Sequence, residues 1–139
     1  MARTRERIKG RKESGRFMLI PYVVLDSPDV LELSAIAFKL LVMMFKQFNG
    51  SNNGDFSAPF SKAKGWGIRS EATLCKVLKE LMSANLIVRT RDPIRDRQNP
   101  RGQCALYGVT WLAIHECGGK LDINPTVQPL RSFSMDKFK

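Results

Sequence analysis

The segment from Gly67 to Pro93, GIRSEATLCKVLKELMSANLIVRTRDP, changes its hydrophobic period partway along. From Ser70 to Leu81 the apolar residues recur at helical spacing, whereas from Leu86 a short apolar run leads into an arginine-threonine alternation. The first pattern predicts a helix and the second predicts a strand, with very few residues between them. A helix that continues directly into a strand indicates an α+β fold, mainly α, in which both elements pack on one core.

The predicted helix begins at Ser70, whose hydroxyl can cap the first turn. Its inward positions follow the i, i+3, i+4, i+7 pattern of a helix face: Leu74, Val77, Leu78 and Leu81. This spacing turns the polar side chains toward solvent: Glu71, Thr73, Lys76, Lys79 and Glu80. Such a polar face is typical of any amphipathic helix, so its neighbours decide whether it binds a partner.

A second, shorter helix is predicted upstream of the first. Ser57 can cap a helix that reaches about Ala63, and residues 65–68 form a short turn that contains glycine. Two helices joined by a turn of this kind are typical of a helix-turn-helix unit.

Two strand-like runs follow the helix-turn-helix pattern, from Leu86 to Arg91 and from Cys104 to Leu112. The prolines and glycine of DPIRDRQNPRGQ argue against regular structure between the runs, so we expect a hairpin with an irregular loop. This hairpin carries five arginines: Arg89, Arg91, Arg95, Arg97 and Arg101. A helix for the major groove beside a basic hairpin for the flanking backbone is a coherent DNA-binding pair.

Over about residues 17–114 the chain resembles the winged helix-turn-helix superfamily. The most specific match is SEATLCKVLKELMSANLIVRTR, which is similar to a recognition helix and first wing strand, with Asn85 where such helices usually end in glycine. The segments FNGSNNGDFSAPFSKAKGWG and LYGVTWLAI resemble, more narrowly, small helix-turn-helix proteins of bacteriophages, prophages and plasmids.

The resemblance implies that the front of the recognition helix faces the DNA groove and that the arginines between 89 and 101 form a C-terminal β-hairpin wing. The candidate nucleic-acid-binding residues of the helix are Arg69, Ser70, Glu71, Thr73 and Lys76. Glu71 departs from the pattern, because a carboxylate repels phosphate and accepts only a partner such as the amino group of cytosine.

The charge of the chain predicts a polyanionic partner. Twenty-three Lys and Arg residues against thirteen Asp and Glu give a formal net charge of +10. Residues 1–16 have almost no large apolar side chains and are expected to form a flexible basic arm that follows a nucleic-acid backbone. Its candidate binding residues are Arg3, Arg5, Arg7, Lys9, Arg11 and Lys12.

We expect three parts along the chain: the arm at 1–16, a winged helix-turn-helix domain at 17–117 and a C-terminal extension at 118–139. The segment around Pro21 predicts an edge strand or a strand-like lead-in. A long central helix is predicted from Leu33 to a C-cap at Asn49-Gly50, followed by a surface turn in NGSNNGD. The extension has no sustained period, which indicates a flexible or partner-ordered tail, and Phe133, Met135 and Phe138 are expected to dock on the domain or on another chain.

The sequence offers little for catalysis, cofactors or metals. It has one histidine, no glycine-rich phosphate loop and no paired carboxylates in an apolar setting, so we expect neither an enzyme nor a cofactor. The cysteines Cys75, Cys104 and Cys117 are interpreted as reduced thiols, and a metal site at His115 and Cys117 requires an accidental convergence of the other two. No segment predicts a membrane span or a signal peptide, so a cytoplasmic protein is expected.

Two functions fit these observations. The first is a DNA-binding transcriptional regulator or replication accessory protein of a phage or other mobile element, with double-stranded DNA as partner and homodimerisation open. The second is a phage-encoded interaction protein that inhibits a host defence or polymerase complex, with RNA or a nucleoprotein as its target. Fold alone does not decide between them.

Overall fold

The computed structural model describes residues 15–96 and 99–133, and for residues 95, 96 and 99–102 it describes the backbone alone. Within this part the chain is an α+β fold of five α-helices and five strands. The helices are α1 (Tyr22–Leu25), α2 (Pro28–Leu31), α3 (Ala35–Phe45), α4 (Phe60–Ala63) and α5 (Glu71–Ser83). The strands are β1 (Phe56–Ser57), β2 (Ile87–Arg91), β3 (Ile94–Asp96), β4 (Asn99–Gln103) and β5 (Leu106–Val109).

Helix α3 is the centre of the core, as the sequence predicts, although it is shorter than expected at both ends. It begins after Ser34, whose hydroxyl accepts a hydrogen bond from the amide of Ala37 at 3.2 Å. Its buried residues form one face: Ala37, Leu40, Leu41, Met44 and Phe45. Ile36, another apolar residue of this helix, is 47% exposed, because it lies at the edge of that face.

Helix α5 confirms the helix predicted after Ser70 and its buried face, and it continues two residues beyond Leu81. Ser70 caps it by accepting a hydrogen bond from the amide of Thr73 at 3.1 Å. The four residues predicted to point inward are buried: Leu74, Val77, Leu78 and Leu81. Asn85 follows the helix with a φ of 56°, the left-handed conformation in which asparagine replaces glycine after a helix.

The predicted strands pair as an antiparallel hairpin, and a third strand completes the sheet. The order is β1-β5-β2, with Ile87 opposite Val109 and Phe56 opposite Tyr107. All residues of the central strand β5 are buried. The sequence does not predict the short strand β1, because two residues give no readable period.

Two expectations for the segments before and within the helix-turn-helix pattern are wrong. The chain around Pro21 is not a strand, because Pro21 precedes the first turn of α1 and Val24 of that helix is buried. Ser57 does not cap a helix, because it lies in β1 opposite Leu106 of β5 and its amide donates to Oε1 of Gln47 at 3.0 Å. Helix α4 instead begins after Pro59.

The segment between β2 and β5 also differs from the expected irregular loop. Strands β3 and β4 form a separate two-stranded antiparallel sheet, with Ile94 opposite Gln103 and a register irregularity before Asp96 opposite Asn99. The proline and glycine lie in β4, which has no third strand beside it. A proline is tolerated there because an edge strand does not need every amide to pair within the sheet.

The loop NGSNNGD, expected to be a surface turn, carries a fully buried polar side chain. Asn53 has no exposed surface, and its Nδ2 donates to the carbonyls of Val109, Leu112 and Ala113 at 3.0 to 3.1 Å. Its Oδ1 accepts from the amide of Val109 at 2.8 Å. The next residue, Gly54, crosses so close to β5 that a Cβ on Gly108 would lie 3.0 Å from its backbone.

The C-terminal segment 118–133 is packed on the domain rather than loose. The amides of Asp122, Thr126 and Arg131 donate to the carbonyls of Thr90, Ile114 and Thr110 at 2.8 to 3.0 Å. Phe133 packs against the core, which agrees with the first of the two expected docking sites, whereas Met135 and Phe138 lie outside the described residues. The segment has no sustained helical or strand period because these bonds join it to other elements instead of to itself.

We predict that Asn53→Ala lowers the free energy of unfolding by at least about 3 kcal/mol, since it leaves several buried backbone groups without partners. Asn124→Ala is the matched control, because Asn124 is exposed on the same protein. Urea unfolding followed by circular dichroism measures both. A loss below about 0.5 kcal/mol for Asn53→Ala, the range of ordinary surface changes, would contradict a structural role for the amide.

Candidate nucleic-acid interface

Glu80, near the C-terminal end of α5, fixes this helix to the start of α3. The helical pattern predicts that Glu80 faces solvent, but its carboxylate accepts from the amide of Ser34 at 2.8 Å and from the Ser34 hydroxyl at 2.9 Å. The carboxylate thus satisfies the amide of the residue that caps α3, and it lies near the positive end of the dipole of that helix. The side chain therefore fixes α5 against α3 and is not available to a partner.

The C-terminal end of α5 is fastened by Arg131. Its Nη1 donates to the carbonyls of Ala84 and Asn85 at 2.9 and 3.1 Å, and its Nη2 forms an ion pair with Asp29 of α2. The guanidinium also lies over the ring of Phe133, with 4.1 Å between Cζ and the ring centroid. Arg131 thus joins the end of α5, helix α2 and the C-terminal segment at one point.

At the N-terminal end of α5, two of the predicted binding residues are engaged with each other. The hydroxyl of Ser70 accepts from the amide of Thr73 and donates to the Thr73 hydroxyl at 2.9 Å. These contacts form the helix cap, so both side chains have a structural task before any partner arrives. Arg69, Glu71 and Lys76 are exposed and are the predicted residues of this helix left facing solvent.

The two arginines of β2 have partners within the sheet. Arg91 donates to the carbonyl of Cys104 from Nη2 at 2.8 Å and from Nε at 3.2 Å. Arg89 donates to the hydroxyl of Tyr107 at 3.1 Å and lies 3.9 Å from the carboxylate of Asp92. Both side chains therefore support the pairing of β2 with β5, a role that composition alone cannot distinguish from phosphate binding.

The structure places the remaining predicted cations only in part. Arg95 lies in β3 and Arg101 in β4, and their backbone is described without their side chains. The other predicted cations lie outside the described residues: Arg3, Arg5, Arg7, Lys9, Arg11, Lys12 and Arg97. Arg16, the last residue of the predicted arm, donates to the carbonyl of Phe48 at 2.6 Å.

A second basic surface, which the sequence pattern does not assign to binding, lies where α3 meets α4 and the turn after it. Lys39, Met43 and Lys46 follow one stripe of α3 at i, i+4, i+7 spacing. Lys39 Nζ lies beside Gly67, 3.1 Å from where a Cβ on that residue would stand. The sequence does show a polar stripe on the predicted central helix, but nothing in the sequence places Trp66 next to that stripe.

The cysteines and the histidine have positions unlike those of a metal centre. Among the described residues no group of three or more His, Cys, Asp or Glu side chains is placed to hold a metal ion. His115 Nδ1 accepts from the amide of Asn53 at 3.1 Å. Burial, followed by the nearby Asp55 carboxylate, raises the pKa of the Cys117 thiol, against an opposing effect of Lys120. The Cys117 Sγ lies 3.7 Å from the Asn53 carbonyl, a separation that suits a protonated thiol donor.

Two further findings bear on the kind of protein. Over residues 15–96 and 99–133 no helix has both the length and the apolar character needed to cross a membrane. Comparison of the chain with protein-family models, with curated proteins and with solved structures found no match.

We predict that Arg131→Ala lowers the free energy of unfolding by about 2 kcal/mol, because it frees two helix-end carbonyls and the Asp29 carboxylate. Arg69→Ala is the matched control at the opposite end of the helix, where the side chain is exposed. We expect that control to change the free energy of unfolding by less than about 0.5 kcal/mol. If thermal or urea unfolding gave equal losses of unfolding free energy for Arg131→Ala and Arg69→Ala, Arg131 would not be an anchor of α5.

Proposed function

We propose that the chain is a nucleic-acid-binding protein of winged-helix type, and that double-stranded DNA is its partner. In this proposal it acts in the cytoplasm as a transcriptional regulator or replication accessory protein of a phage or other mobile element. The helix α5 takes the part of the recognition helix and the β2-β5 hairpin, extended by β3 and β4, takes the part of the wing.

The observation that carries the proposal is that α5 is held firmly on the core while its polar front stays exposed. Its apolar face is buried, Glu80 fixes it to α3, and Arg131 holds its C-terminal end. These contacts leave Arg69, Glu71 and Lys76 exposed along the helix. A rigid helix with an exposed polar front is what base reading in a groove requires.

The hairpin supports the same proposal through its position and charge. It leaves directly from the end of α5, and its extension carries Arg95 in β3 and Arg101 in β4. Cations on an element beside a groove-reading helix are suited to the flanking phosphates, which position a protein on DNA without reading its sequence. The net charge of +10 supplies the long-range attraction for a polyanion.

A second candidate, an interaction protein that binds a protein or nucleoprotein complex, is favoured by one observation. Several large apolar side chains near the N-terminal end of the fold are exposed, among them Leu19 (73%), Tyr22 (81%) and Leu31 (72%). Exposed apolar side chains grouped in one region of a chain often mark a protein interface. Such a surface also fits a homodimer that binds DNA with two copies of α5.

Titration of a random duplex at two salt concentrations tests the proposal, with fluorescence anisotropy as the measurement. We predict that changing Arg95, Arg97 and Arg101 together to Ala weakens binding to all sequences alike. The slope of log K against log salt should fall by about 0.9 for each phosphate that the variant no longer neutralises. Unchanged affinity and slope would remove the hairpin from the interface.

Lys76→Ala tests whether α5 reads bases, with Lys79→Ala as its matched control three residues along the same helix. On the best site from a selection experiment, Lys76→Ala should lower specific binding more than random binding, because base contacts specify and phosphate contacts position. A loss by the same factor on both DNAs would show that Lys76 contacts phosphate. Stable capture of a cellular protein together with no duplex binding would favour the second candidate instead.

Removal of residues 2–14 tests the arm and leaves Arg16, with its contact to Phe48, in place. The deletion takes away six cations and two carboxylates from the sequence. We expect duplex binding at low salt to weaken at least about tenfold, because fewer counterions are released on binding, with little change in the thermal midpoint. Binding as tight as that of the full chain would remove the arm from the interface.

A further inference from the structure

A shallow pocket of about 280 Å³ opens on the second basic surface, on the α3 and α4 side of the fold. It is lined by Met43, Lys46, Gln47, Lys62 and Trp66. A thioether and an indole provide the apolar part of the lining, and two ammonium groups provide charge. Helix α5 and the hairpin contribute no residue to this lining, so the pocket is separate from the surface proposed to bind duplex DNA.

Some polar groups of the pocket already form hydrogen bonds within the protein, and this limits what the pocket can recognise. Gln47 donates from Nε2 to the Ser57 carbonyl at 2.8 Å and accepts at Oε1 from the Ser57 amide at 3.0 Å. Its amide therefore acts like a peptide group of a neighbouring strand and has little capacity left for reading the edge of a ligand. A ligand in this pocket would therefore be held by packing of its apolar face and by its negative charge.

The two lysines are able to bind an anion. Lys62 Nζ donates to the Ser57 hydroxyl at 2.6 Å and is 3.4 Å from Gln47 Oε1, which orients the ammonium and leaves one of its three hydrogens for a ligand. Lys46 is exposed, and no carboxylate of the described residues forms an ion pair with it. An oriented cation beside a free one favours a phosphate at the rim.

We propose that this pocket binds an unpaired nucleotide of a nucleic-acid strand, with the base against Trp66 and Met43 and a phosphate on Lys46 and Lys62. A base has an apolar face that suits an indole, and stacking of this kind is tolerant of sequence because every base has such a face. A base inside a duplex has no free face to offer, because both of its faces are stacked on neighbouring bases. This proposal rests on the proposed nucleic-acid binding, and it adds single-stranded nucleic acid as a partner.

The indole emission gives a direct test with the full-length chain and twelve-nucleotide strands of thymidine, deoxyadenosine and adenosine. The chain has two tryptophans, Trp66 in the pocket and Trp111 buried in the core, so quenching by a bound base reports mainly Trp66. We expect single strands to quench the emission, and the Trp66→Phe protein, which retains Trp111, to lose that response. The thymidine and deoxyadenosine strands should bind within about threefold of each other.

Charge and stacking are separated by two further variants. Trp66→Ala should weaken single-strand binding about tenfold, the value typical of removing one stacking partner. Because Trp66 packs against the core, Lys46→Glu provides a second test outside the core, and it should weaken binding more than Lys79→Glu, which makes the same charge change on α5. Circular dichroism confirms that each variant is folded.

The outcomes distinguish this pocket from the duplex interface. Single-strand binding with unchanged indole emission, or Lys46→Glu and Lys79→Glu proteins with equal affinity, would overturn the pocket while duplex binding still supports the proposed function. Quenching by single strands without duplex binding would support the pocket and count against α5 as a reader of DNA. Binding of the adenosine strand in preference to its deoxy counterpart also supports the pocket and indicates RNA as the source of the nucleotide.

Discussion

The buried amide of Asn53 is the interaction on which the rest of the structure depends. It bonds the backbone of Val109, Leu112 and Ala113, which are the residues where the chain leaves the central strand β5 and turns back. A buried amide with satisfied donors and acceptor specifies one arrangement, because any other leaves polar groups unpaired in the core. The return of the chain at this point is what allows the segment 118–133 to run back over the sheet and bring Arg131 to the end of α5.

The rigid placement of α5 depends in part on this turn of the chain after β5. The C-terminal half of the helix is fixed through Glu80 to Ser34, and the residues just after the helix are held by Arg131 through the carbonyls of Ala84 and Asn85. Both contacts join residues distant in sequence, separated by 46 and 47 positions. A helix held in this way can present an exposed side without adjusting to each ligand, and side chains held by their neighbours position a binding site more accurately than free ones.

The sequence predicts those parts of the structure whose signal is local. Helical spacing and a capping serine locate α5, and the apolar run after Asn85 locates β2, because period and caps depend on neighbouring residues alone. Asn53 reads as a turn residue, since its partners lie 56 to 60 positions away and leave no trace in the local pattern. The same reason explains the misplaced roles of Ser57 and Glu80 and the unforeseen meeting of Trp66 with the lysines of α3.

Net charge predicts a polyanionic partner but not which cations meet it, and the hydrogen bonds supply that distinction. Arg16, Arg91 and Arg131 donate to backbone carbonyls, whereas Lys39, Lys46 and Lys76 are exposed. The planar guanidinium suits two acceptors at once and is weakly hydrated, while an ammonium is a hydrated point charge. Among the described residues, these three arginines therefore help to build the fold, while Arg69 and these three lysines face solvent. In the proposed nucleic-acid complex an ammonium attracts phosphate without the bidentate geometry that reads guanine, so these lysines are suited to holding nucleic acid, whereas the exposed Arg69 has the geometry to discriminate a base.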